Sequence, residues 1–370
     1  MAPRGTGSHR HGETASTKSQ DDLPRTGNPV IDSMTGVFHW LGKQIEPFIP
    51  RPPAPPLPAP ADMTDRQLLQ AVYRIGAGLL NGLAPIIQQS FTRYGSAAEM
   101  GDPRFPHAMP VKVRGHVLTM VTEANDAFGL ALLGLREHAT AAALGAIRIV
   151  AETLAWARWL LEDPDEDIRQ ARAYRRTLNG IEGYHQFGAT LRRIAGQSAE
   201  TEAGWLMAAG QRMKDDLNAM ASQDGVSIPA NPGSASTLME QYLPEHGGYQ
   251  SYALLSSAGA HPGPARAFQF YGTPGAGIDY DFKGKHHVRA YWIAQGILLH
   301  LDMCDLAAPV LGWGQEWEVL AGQTRNQLGP LAEEAERRYV EPLQRAMANK
   351  PGLDRPASPG DRPPGTGSTT

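Results

Sequence analysis

Residues 139–161 read ATAAALGAIRIVAETLAWARWLL. Seventeen of these 23 residues are apolar, and they run right round a helical wheel instead of along one stripe. A helix that is hydrophobic on every side is either a membrane span or an inner helix of a bundle. Arg148, Glu152 and Arg158 break any run of about 18 apolar residues, which argues against a span. The stretch is therefore expected to be the central helix of a bundle. Arg148 and Glu152 stand at i, i+4, and charge buried there must be paired or used.

Helical spacing continues on both sides. Asp62-Met-Thr64-Asp65 is a capping cluster, and a helix is expected from there to about Tyr94, kinked at Pro85. Gly76, Gly78 and Gly82 lie inside it; no strand precedes them, so they point to close helix packing and not to a dinucleotide site. A second helix is expected over 111–136. After the central helix come Glu162-Asp163-Pro164-Asp165-Glu166-Asp167. Five carboxylates in six residues resemble a metal cluster, but a helix start accounts for them: Asp163 as cap, Pro164 in the first position, acids at the positive end of the dipole. Further helices are expected over 164–195, 199–221, 238–243, 248–260, 285–308 and 315–348, the last kinked at Pro330 and Pro342. The aromatic, Gly-rich loop 262–284 is long enough to act as a lid. There is no sustained alternation, no βαβ rhythm and no internal repeat. The fold class is all-α, one large bundle-like domain over 62–348.

The ends differ in kind. Residues 1–28 and 349–370 are polar or rich in Pro, Gly, Ser and Thr, and are expected to be disordered. Within 29–49, Val37, Phe38, Trp40, Leu41, Ile45, Phe48 and Ile49 recur at near-helical spacing, a short amphipathic helix. Seven prolines between Pro50 and Pro60 make 50–61 a stiff polyproline II linker reaching roughly 30 Å. Such a helix on a rod is expected to dock on its own domain, on a protein partner or on a second copy through residues 37–49.

A net charge of −4 over 370 residues argues against a general nucleic-acid binder. One cysteine, Cys304, rules out an internal disulfide and leaves no thiolate zinc set. No secretory leader precedes the fold, so the cytoplasm is the expected location.

The phosphate-binding GxxxxGK[ST], HExxH, GxSxG and EF-hand patterns are absent. Glu182 and His185 form one E-x-x-H, where a di-iron bundle needs two. No metal and no cofactor are expected. Between Tyr249 and Pro262, Ser257 and His261 stand one turn apart. His261 either closes its helix by bonding free carbonyls, or serves as an acid/base group beside the long loop with Ser257 or Tyr249 as polar contact. Farther on, His287, Tyr291 and Gln295 share a stripe that Asp302 continues, whereas His300 falls with Ile293, Ile297 and Cys304 on a core face. His286, His287 and Arg289 at that helix start are either a solvated end or an anion site.

The R-x-x-x-E of Arg148 and Glu152, with the later Tyr249…Leu255-Ser256-Ser257…His261-Pro262, resembles a family of uncharacterised bacterial all-helical proteins. These are loosely similar to HEPN domains, helical modules found in toxin–antitoxin and phage-defence systems. The resemblance covers roughly residues 115–305. It implies a helical fold and a stress or defence setting. HEPN ribonucleases place an Arg four to six residues before the His; here Leu254 to Ser257 stand in that place, so the ribonuclease motif is missing. Two functions follow as expectations: a helical binding or regulatory protein, or a hydrolytic or nucleic-acid-processing enzyme with His261, Arg148 and Glu152 in one cleft.

Overall fold

The computed structural model describes residues 58–94, 104–108, 112–137, 139–195, 200–260, 272–273, 277–278 and 286–348. The expected disordered ends, the amphipathic segment 29–49, most of the Pro-rich linker and His261 with most of its loop lie outside them. The helices are α1 (Asp65–Tyr94), α2 (Val113–Arg136), α3 (Thr140–Leu161), α4 (Glu166–Ala195), α5 (Glu200–Gln223), α6 (Ala235–Tyr242), α7 (Gly248–Ala260), α8 (His286–Leu311) and α9 (Gln315–Ala348). The class is all-α. The described strands are two residues each, β1 (Gly272–Thr273) and β2 (Gly277–Ile278), paired antiparallel.

Helix ends follow local chemistry. Thr64 Oγ1 accepts from the Gln67 amide at 3.3 Å while Gln67 Oε1 accepts from the Thr64 amide at 2.8 Å, a reciprocal capping box that starts α1. The α3–α4 corner differs from expectation: α4 starts at Glu166, and its cap is Asp165, whose Oδ1 accepts from the Asp167 amide at 2.8 Å. Asp163 instead accepts from the Asp165 amide, holding the turn that contains Pro164. The corner's acids are thus spent on turn and cap, and Arg104 pairs with Glu166. Arginines of α4 close the end of α3: Arg169 donates to the Leu161 carbonyl at 3.1 Å, and Arg172 to that of Trp159. These carbonyls belong to a last turn with no partner inside the helix. Helix α8 runs three residues beyond its expected end, through Pro309. It stops at Gly312, whose φ of 65° lets the Trp313 amide reach back to the Ala308 carbonyl at 2.9 Å.

Helix α8 holds the centre, packed against α1, α2, α3 and α9. A Cβ on Gly296 would meet Phe128 of α2 at 3.2 Å and Ile147 of α3 at 3.4 Å, so a hydrogen at this position allows the three helices to converge. Helix α3 packs on α2, α8, α6 and α7, as an inner helix should. It is less central than its composition suggests, because Ile149 is 48% exposed. Both α3 and α8 are long and apolar enough to cross a membrane by length and composition alone, yet both are mostly buried among their neighbours. Of the three expected glycine contacts on α1, Gly76 meets Phe128 and Leu132, Gly82 meets Leu320, and Gly78 meets nothing.

Two attachments complete the framework. Helices α4 and α5 form a hairpin with its own core of Phe105, Tyr174, Leu178, Ile181, Leu217 and Ala221. Its seat on the bundle is His116 of α2 bonded to Thr177 at 2.9 Å, with burial and the nearby Arg176 pushing the imidazole down to about 4. At the start of α1, Arg338 of α9 donates to Asp65 at 2.7 Å and to the carbonyls of Pro60 and Met63 at 3.1 and 2.8 Å. Glu334 orients that guanidinium from the same helix at 2.5 Å.

Candidate functional site

Two arginines on α3 organise the polar groups between α3, α7 and α8. Arg148 donates Nε to Glu152 at 2.5 Å and a terminal nitrogen to the Tyr252 hydroxyl of α7 at 3.1 Å, with its guanidinium 4.7 Å from the Tyr252 ring centroid. The Arg148 and Glu152 side chains are 26% and 25% exposed, so the pair sits at a half-buried seam and not in the dry core expected of it. The tyrosine that meets Arg148 is Tyr252. The side chains of Tyr249 and Ser257, and the whole of His261, lie outside the described residues. Of the expected cleft, the structure therefore brings together Arg148 and Glu152.

Ten residues along α3, Arg158 anchors a second cluster that sequence reading missed. It donates to the Tyr242 carbonyl at 2.6 Å, to Glu245, and to Asp302 of α8 at 3.1 Å. His246, in the short 3-10 turn Pro244–His246, shares its Nε2 with Asp302 at 2.9 Å. Partial burial works against ionising Glu245, yet its own backbone N–H, Arg158 and His246 hold the carboxyl below its ordinary range. Glu245, His246 and Asp302 present ligand atoms within 4.8 Å of one another, the donor set of a small cation site. The guanidinium already bridges both carboxylates, so a divalent ion would have to displace it. The arrangement ties the α6–α7 corner to α3 and α8. Asp302 stood out in the sequence as part of a stripe; Glu245 and His246 gave no local signal.

The start of α8 is equally committed. His287 Nδ1 lies 2.9 Å from Asp65 Oδ2, joining α8 to the cap of α1. Burial works to raise the Asp65 carboxyl, and hydrogen bonds from Arg338 and His287 outweigh it, leaving it below the usual range. Tyr291 stacks on Tyr339 of α9 at 4.5 Å, and burial beside Tyr339 and Glu336 pushes its hydroxyl up to about 12. Arg289 is buried, and desolvation lowers its pKa. His287 and Tyr291 thus tie α8 to α1 and α9. His300 is fully buried on the core face assigned to it, stacked on Phe128 at 5.3 Å. Glu182 of the E-x-x-H pairs with Arg175 at 2.9 Å, and the His185 side chain lies outside the described residues.

A cleft of about 420 Å³ lies where α1 meets the α8–α9 turn, with Ser90, Trp313 and Trp317 in its wall. Both indole N–H groups are engaged there, Trp313 with Ser90 at 2.6 Å and Trp317 with Asp305 at 3.1 Å. Compared with protein-family models, curated proteins and solved structures, the chain matches none.

Proposed function

We propose that this chain is a helical binding or regulatory protein that works without catalysing a reaction. One observation carries the reading: both arginines on the seam are engaged in holding the framework, Arg148 by Glu152 within α3 and by Tyr252 across to α7, Arg158 by Tyr242, Glu245 and Asp302. Residues 37–49 serve as the element that engages a protein partner or a second copy. The resemblance to HEPN-like families supports a stress or phage-defence setting, and the missing Arg before His261 fits a non-nuclease member.

The second reading is a hydrolytic or nucleic-acid-processing enzyme with His261, Arg148 and Glu152 in one cleft. It is favoured by the Ser256 hydroxyl, buried without a partner among the described residues, one turn beyond Tyr252. Purified protein incubated with single-stranded RNA, structured RNA and nucleoside triphosphates separates the two. We expect no turnover. Cleavage lost in both Glu152→Gln and His261→Asn, with folding intact, makes the enzyme the correct reading.

A further inference from the structure

Arg176 fixes which side of α4 faces the bundle: its guanidinium lies 5.4 Å from the Trp156 ring of α3 and 3.7 Å from Glu123 of α2. Phe187 and Ile194 follow Arg176 by 11 and 18 residues, close to whole numbers of turns at about 3.6 residues each, and so return to that side. Tyr184 and Leu191 complete a stripe at 184, 187, 191 and 194, the 3-4-3 spacing of a coiled-coil seam. Tyr184, Phe187 and Ile194 are 51%, 59% and 76% exposed. Among the described residues, the face that seats the hairpin therefore continues largely uncovered. The other side of α4 is different: Glu182 and Gln186 stand across the helical wheel from the stripe and border a cleft of about 260 Å³ between α4 and α5.

The stripe is symmetric. Positions 184 and 194 are equally far from Ala189, and so are 187 and 191. We propose that a second copy of this chain covers it, the two α4 helices crossing antiparallel about a two-fold axis near Ala189. That register sets Tyr184 against Ile194 and Phe187 against Leu191, each contact made twice, as an isologous interface requires. A stable interface buries about 800 Å² per partner, more than four side chains supply. Trp205 and Met213 of α5, 64% and 45% exposed, extend the surface. Trp205 is level with the middle of the stripe, because Ala203 and Met207 on either side of it meet Gly188. This pairing goes beyond the binding role proposed above and leaves residues 37–49 available for another partner. Its test reads mass and not turnover, so the two proposals fail independently.

Sedimentation equilibrium of the full chain is expected to show a dimer at micromolar concentration. Phe187→Glu and Ile194→Glu are each expected to weaken it at least about tenfold, a loss of about 1.4 kcal/mol. Their far-UV circular dichroism should stay unchanged, because both side chains are exposed in the single chain, and their unfolding midpoint should fall only by the share that dimerisation contributes through mass action. Should either change disturb folding, Ile194→Thr gives the same readout. Tyr184→Lys should dissociate the dimer, and Tyr184→Lys with Ile194→Glu should restore it, since the antiparallel register sets lysine against glutamate. Four results overturn the proposal: a monomeric wild type, a dimer that survives Ile194→Glu, a double variant that stays dissociated, and a dimer broken by Phe38→Glu with Trp40→Glu but not by the α4 changes. A monomer whose binding to anionic lipid vesicles is abolished by Phe187→Glu assigns the stripe to a membrane surface and overturns it as well.

Discussion

Arg148 on α3 lies over the ring of Tyr252 on α7 and also donates to its hydroxyl, so one guanidinium joins the helices by charge and by ring face together. Because about a quarter of the Arg148 side chain is exposed, the loss on truncation falls short of the roughly 3–5 kcal/mol of a fully buried pair. Arg148→Ala is expected to cost about 1–2 kcal/mol, the scale of a partly desolvated cation–π contact with a charge-assisted hydrogen bond. Arg148→Met with Glu152→Leu should cost less than Arg148→Ala alone. Urea unfolding of the three chains decides it, and equal losses refute the coupling.

Arg158 fills the space that a cation would occupy between Glu245, His246 and Asp302. In wild type, excess zinc should leave the unfolding midpoint where it is. In Arg158→Met the two carboxylates and the imidazole lose their guanidinium, and the chain should be destabilised by about 2 kcal/mol. Zinc should then recover part of that loss by binding the native state only. A wild type that zinc stabilises as strongly shows that Arg158 does not occupy the site.

His300 titrates out of reach in the folded chain. Burial pushes it from its ordinary 6.5 down to about 3, so below pH 6.5 the unfolded chain takes up a proton that the folded chain refuses. Its contribution is fully present above pH 6.5 and is lost as pH falls toward 3, by up to about 1.4 kcal/mol per pH unit. His116 acts in the same sense between 6.5 and about 4. Asp126 acts oppositely, burial and Glu123 raising it from 3.8 to about 6, so the folded chain takes up its proton first and gains stability as pH falls through that window. The informative quantity is therefore the difference between wild type and His300→Leu. Its stability should fall less steeply than wild type between pH 6.5 and 4, and parallel slopes would falsify the assignment.

Two glycines on α1 should respond with opposite sign. Gly78 is exposed in mid-helix and a Cβ there meets nothing within 4 Å, so Gly78→Ala should stabilise by about 0.5–1 kcal/mol. A Cβ on Gly82 would stand 2.7 Å from Leu320 Cδ1, and Gly82→Ala should cost about 1–2 kcal/mol even though that side chain can swing aside. Thermal unfolding of the two variants reads both signs.

How much of this was legible depended on distance along the chain. Helix α3 could be read because its signal is local: apolar residues on all sides with three charges set among them. His300 was legible for the same reason, sharing a face with Ile293 and Ile297. The cap of α4 was misplaced by two residues because Asp163 and Asp165 have the same chemistry, and only the backbone path through Pro164 separates them. The Arg158 cluster was not legible, since His246 and Asp302 are 56 residues apart and nothing near either announces the other. Tyr252 was passed over for Tyr249 because both sit on one short helix, and which one meets α3 depends on how α7 is rotated. The stripe on α4 has visible spacing, but spacing cannot tell a covered face from an open one.

The anchoring of Pro60 and Met63 on Arg338 has a mechanical meaning. A pull on the chain ahead of α1 would ordinarily peel a helix from its first turn, one hydrogen bond at a time. Here the backbone is gripped on the near side of that turn by a guanidinium rooted in α9, which Glu334 holds from behind. Tension arriving at Pro60 is passed by that guanidinium into α9 before it reaches the capping box of Thr64 and Gln67.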